Sequence, residues 1–170
     1  MEMKGDFNGR LRSGGMPLYR DGLKIMVFDY DDLILLHRRG YANGRRTGRM
    51  KHRYHHQAQK VLRHAVQFFD KTVLWSSTNG EVLTNLNSSP FDEIDLRVYG
   101  AEWDGEHLVK NLVNLTTDLQ ILWAMENEPD MSDVDDVTGV PFIGFTPTDR
   151  VIRLGEHENF MTKYKTIFRV

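Results

Sequence analysis

The stretch that most constrains this chain runs from Leu23 to Leu33, LKIMVFDYDDL, where an apolar run gives way to a cluster of acids. A strand with one wet face alternates apolar and polar residues. A continuous run such as LKIMVF (Leu23 to Phe28) instead suits a strand buried on both faces, as in a parallel sheet covered by helices. Open α/β sheets bind ligands beyond the carboxyl ends of their strands. Asp29 and Asp31 therefore fall where a ligand would sit.

The rest of the chain extends this pattern. Ala58, Val61, Leu62, Ala65, Phe68 and Phe69 recur at helical spacing and predict an amphipathic helix. TVLW (Thr72 to Trp75) reads as a second buried strand. Thr78 and Glu81 stand in capping-box relation before a short helix carrying Val82, Leu83 and Leu86, which Asn87 to Pro90 ends. Asp95 to Tyr99, Gln120 to Met125 and Val140 to Phe145 read as further strands, and Phe160, Tyr164 and Ile167 suggest a last helix. The expected fold class is α/β, a doubly wound, mostly parallel sheet of about five strands. Residues 1–22 read as an irregular Gly-rich arm, 23–155 as the domain, and 156–170 as a C-terminal helix or tail. The segment between Asp32 and His55 reads as a basic, Gly-containing loop.

Charge is segregated although the net charge is only −2. No acid occurs from Leu33 to Phe69, where Arg38, Arg39, Arg45, Arg46, Arg49, Lys51 and Arg53 cluster, while Glu126 to Asp136 is densely acidic. The basic segment is a candidate contact for RNA, for a phosphoprotein or for another acidic partner, and Tyr41 and Tyr54 could stack on bases. The absence of cysteine excludes disulfides, zinc–thiolate sites, iron–sulfur clusters and thiol catalysis. No apolar run approaches the roughly 20 residues of a bilayer span. The first residues lack the apolar core of a secretory signal, and Glu2 and Asp6 interrupt any mitochondrial presequence. An intracellular protein is expected.

Four polar clusters suit phosphoryl transfer. Asp29 and Asp31 follow the first strand, Ser76 and Ser77 the second, Lys110 precedes the fourth, and Glu126 and Asn127 end it. One carboxylate can attack phosphorus, splitting a hard step into two, and a second can protonate the leaving oxygen and then activate water. A hydroxyl and a lysine can hold the equatorial phosphate oxygens.

In this order the motifs resemble a known superfamily. VFDYDDL resembles the first motif of the haloacid-dehalogenase-like phosphatases. FFDKTVLWSSTNGEVLTNL is similar to the second-motif region of the CTD-phosphatase-like branch, and HLVKNLVNLTTDLQILWAMENEPD to its lysine segment and fourth motif. That branch includes the presequence-receptor subunit of the mitochondrial inner-membrane translocase, whose second motif VLWSS resembles. The likeness spans Leu23 to Phe145. It implies Asp29 as nucleophile, Asp31 as general acid and base, and Lys110 as the charge-stabilising lysine. It also implies Ser76 and Ser77 as phosphate-binding residues, and Mg²⁺ held by Asp29, Asp31, Glu126 and Asn127. The segment before His55 is too short for a large cap domain.

The sequence departs from that pattern. Leu33 stands where Thr or Val is usual, and Glu126 replaces the usual Asp. Tyr54 follows Arg53 where Arg-Pro is typical. Asp135 and Asp136 offer an alternative fourth motif, but Met131 to Val134 make a poor strand. Two readings follow. One is a Mg²⁺-dependent phosphatase acting on a phosphoprotein or another phosphomonoester. The other is a catalytically degenerate domain serving as a subunit of a mitochondrial or ribonucleoprotein assembly, docked through its arm and basic segment.

Overall fold

The computed structural model describes residues 7–9, 19, 22–30, 33–42, 45–76, 91–106, 108–116, 122–127, 140–143, 150–155 and 158–169; for 7–9, 35–42, 45–54 and 127 it describes the backbone alone. The apolar run becomes β2 (Ile25–Asp29), with all five residues buried. It pairs in parallel with β5 (Lys71–Ser76) on one side and β9 (Leu122–Asn127) on the other. β6 (Leu96–Tyr99) adds beyond β5, and β11 (Val151–Leu154) beyond β9. A three-residue strand, β1 (Phe7–Gly9), borders β6. The sheet order is β1-β6-β5-β2-β9-β11, with every pairing parallel.

Strand alternation divides the core into two layers. Met26, Phe28, Leu74, Met125 and Ile152 face α1 (Ala58–Phe68) and α2 (Phe160–Phe168). Ile25, Val27, Val73, Trp75, Leu96, Val98, Leu122 and Ala124 pack on the other side with Tyr19, Leu112, Leu115 and Phe142. Both faces are covered, as the unbroken apolar run requires. The helices lie side by side, with His64 against Tyr164 and Phe68 against Phe168, and their N-termini are joined by Gln57, whose Oε1 accepts from the Met161 amide at 2.8 Å. Asn159 caps α2, its Oδ1 accepting from Thr162 N at 3.0 Å.

Three expectations need correction. Val140 to Phe145 is not a strand of the main sheet. Of its described residues 140–143, Phe142–Ile143 form β10, which joins β8 (Leu108–Asn111) and β7 (Glu102–Trp103) in a small separate sheet. β11 takes the edge position instead, and a four-residue strand interrupted by Arg153 carries little apolar signal. The basic segment is not an irregular loop either. β3 (Leu35–Ala42) and β4 (Arg45–Tyr54) form an antiparallel ribbon. Its strands are too polar for a core pattern, although Asn43-Gly44 between them is a hairpin-turn dipeptide. Lastly, the arm is not wholly irregular, because β1 extends the sheet and Tyr19 is buried, its amide donating to Leu115 O at 2.7 Å. The expected helix at Val82 to Leu86 lies outside the described residues, as do Asp135 and Asp136.

Candidate active site

The strand order reverses beside the central strand. From β2 the chain steps outward to β5 and β6, then returns to the opposite side of β2 at β9. Such a reversal opens a crevice at the carboxyl ends of the strands. Asp29 is the last residue of β2, next to this reversal, and pairs in register with Trp75. Ser76 ends the neighbouring strand β5, and Glu126 and Asn127 end β9.

Lys110 reaches the same place from the small sheet. It lies on β8, and its amide donates to Pro141 O at 2.9 Å beside β10. Its Nζ donates to Asp29 Oδ1 at 2.8 Å and lies 4.2 Å from the centre of the Phe142 ring. Lys110 is fully buried and Asp29 is 2 % exposed. Removing both charges from water costs several kcal/mol per ion, so close contact is what makes the arrangement tolerable. Phe142 also binds the third charged residue, since its amide donates to Glu126 Oε2 at 2.9 Å.

Glu126 is 1 % exposed, and its other oxygen, Oε1, accepts from Arg153 Nε at 3.0 Å. Arg153 sits opposite Glu126 in the β9–β11 register. Burial raises the Glu126 carboxyl above its ordinary value of 4.5. The Phe142 amide and the charges of Lys110 and Arg153 act in the opposite direction.

The four expected residues Asp29, Ser76, Lys110 and Glu126 are thus all buried at adjoining strand ends. Asp29 and Lys110 are in direct contact, and Phe142 links Lys110 to Glu126. Asp31 and Ser77 lie outside the described residues, and so does the side chain of Asn127. Arg38, Arg39, Arg45, Arg46, Arg49, Lys51 and Arg53 lie on the ribbon, which begins six residues after Asp29. Sequence reasoning missed Arg153, for which periodicity offered no signal. It also missed the linking role of Phe142, visible in the sequence only as one apolar residue of VPFIGF.

The donor set fits Mg²⁺ only in part. Asp29 is placed to contribute an oxygen. Each Glu126 oxygen already accepts one hydrogen bond from a protein donor, so a metal ion there would share them. Among the described residues, no group of three or more His, Asp or Glu side chains is disposed to hold a metal ion. No family model matches the chain, and no curated protein matches it.

Proposed function

We propose that this chain is a phosphoric monoester hydrolase working through an aspartyl-phosphate, a member of the haloacid-dehalogenase-like superfamily in its CTD-phosphatase-like branch. One observation carries the reading, the 2.8 Å contact of Lys110 Nζ with Asp29 Oδ1 at the carboxyl end of the central strand. Asp29 is the nucleophile. Its oxygen bonds to phosphorus as the ester P–O bond breaks, and Asp31 gives the departing alkoxide a proton. Asp31 then takes a proton from water, whose oxygen displaces Asp29 from phosphorus and releases inorganic phosphate. Lys110 neutralises the negative charge gathered around the reacting phosphoryl group, and Ser76 and Ser77 orient it. Mg²⁺ at Asp29 would add positive charge on the phosphoryl oxygens. A phosphoprotein or another phosphomonoester is the substrate class.

The purified full chain should hydrolyse p-nitrophenyl phosphate in the presence of Mg²⁺, and Asp29→Asn should fall to background while keeping its fold by circular dichroism. Equal turnover by the two proteins would defeat this reading.

A specific feature favours a second reading, a non-catalytic binding or structural subunit. The Glu126 carboxylate is committed to Phe142 N and Arg153. On this reading the aspartate–lysine pair holds β8 against the main sheet, and wild type shows no turnover with or without Mg²⁺. Among the described residues no helix is long and apolar enough to cross a membrane.

A further inference from the structure

We propose that the β3–β4 ribbon is a nucleic-acid-binding arm that grips a phosphate backbone, whether or not the site at Asp29 turns over.

Charge is the first support. The two strands carry Arg38, Arg39, Arg45, Arg46, Arg49, Lys51 and Arg53 and no acid, although the chain as a whole has a net charge of −2. Six of these seven cations are arginine. The guanidinium fork matches phosphate oxygens in pairs, which an ammonium cannot do.

Register is the second. Arg38 stands directly opposite Lys51, and Leu36 opposite Arg53. Like charges facing each other across a strand pair are destabilising. The ribbon also forms a sheet of its own, paired with no other strand among the described residues. An isolated two-stranded ribbon is marginal in water even without such repulsion. A polyanion lying along it would offset both costs.

Geometry decides between anions. Strand alternation places Arg38, Lys51 and Arg53 on one face, and Leu35, His37, Arg39, Met50, His52 and Tyr54 on the other. Three cations on one face, and three rings with Arg39 on the other, suit a chain that offers regular phosphates and stackable bases. An acidic peptide offers no bases to stack. β4 has ten residues, a length of roughly 33 Å, and the phosphates of one strand rise about 3.4 Å each along a duplex axis. The ribbon therefore spans several phosphates. Its base is anchored, with His55 N donating to Ile34 O at 2.7 Å and Ile34 N to Tyr30 O at 3.2 Å.

Fluorescence anisotropy of the full chain with labelled single strands of about 20 nucleotides, one RNA and one DNA of the same sequence, tests this. If the ribbon neutralises about five phosphates, affinity should fall about 100-fold between 50 and 200 mM salt. The triple variant Arg38→Gln, Lys51→Gln, Arg53→Gln should lower the slope of log K against log salt by about 2. The charge-preserving set Arg38→Lys, Arg53→Lys should keep the slope, which makes the result independent of whether the triple variant folds. Binding by both strands, or by RNA alone, supports the proposal. Either of two results overturns it: no anisotropy change at the lower salt, or a wild-type slope retained by a folded triple variant. A polyglutamate or multiply phosphorylated peptide that binds where neither nucleic acid does also overturns it.

Discussion

Two acid–base pairs lie at neighbouring strand ends, and the protein treats them differently. Asp29 and Lys110 come from separate sheets and are both sealed from water, with side chains 3 % and 0 % exposed. Glu126 and Arg153 face each other across one strand pair. The Glu126 side chain is buried at 1 %, while that of Arg153 is 44 % exposed. The buried Lys110 has the Phe142 ring beneath it, whereas Arg153 keeps much of its guanidinium in water. An exposed cation gains little from its partner and can be screened, while a sealed one must be matched or neutralised. The first pair has the character of a poised chemical group, the second that of a strut between β9 and β11.

The largest expected effect tests that contrast directly. Lys110→Met should cost about 3–5 kcal/mol in urea unfolding, because it removes the cation that matches the buried Asp29 carboxylate. Adding Asp29→Asn should restore part of that loss, so the double variant should be more stable than the sum of the singles. Strict additivity would break the comparison. Next in size is Arg153→Ala, which removes a hydrogen-bonded partner of a buried carboxylate. It should cost about 1–3 kcal/mol, with Phe142 N still bound to Oε2. If Glu126 is a strut, this variant should leave turnover of an active wild type nearly unchanged.

A third, smaller effect is read through pH. Glu126 is raised above 4.5 mainly by burial, so the folded state holds its proton more tightly than the unfolded state does. Its contribution is favourable at low pH and is lost as pH rises from 4.5 through the raised value. The wild type should therefore lose stability relative to Glu126→Gln across that window, as read from urea midpoints at a series of pH values. A constant difference would mean that Arg153 and Lys110 already offset the burial.

How much of this was legible in the sequence follows from where each signal lives. β2 and β5 were plain because burial on both faces forces apolar residues at nearly every position, and the acids that follow them then mark strand ends. The helices were equally plain, since Ala58, Val61, Leu62 and Ala65 keep one face inward. The contact of Lys110 with Asp29 joins residues 81 positions apart, and periodicity carries nothing about it. It was approached only through motif order. Strands whose residues are polar left no apolar trace, hence the missed β3–β4 ribbon, where Asn43-Gly44 was the usable clue. β11 was missed because Arg153 interrupts a short run, and the same residue then supplied the unforeseen partner of Glu126.

The smallest prediction supplies a neutral reference for both charged pairs. On the helical side of the sheet His64 Nδ1 and Tyr164 Oη are hydrogen-bonded at 2.6 Å, with the rings edge to face 5.3 Å apart. Tyr164 also packs against Phe28 from β2, so the contact belongs to the same core as the site. Burial lowers the His64 value below 6.5, which means the folded state favours the neutral ring. That contribution is complete above 6.5 and is lost as pH falls from 6.5 through the lowered value. Tyr164→Phe should cost about 1 kcal/mol at neutral pH, the net worth of one ordinary hydrogen bond. The wild type should lose stability relative to His64→Gln on acidification, the opposite direction from Glu126. Opposite slopes in two residues of one domain would tie each to its own group, whereas a shared slope would point to a global charge effect and remove the distinction between the two strand-end pairs.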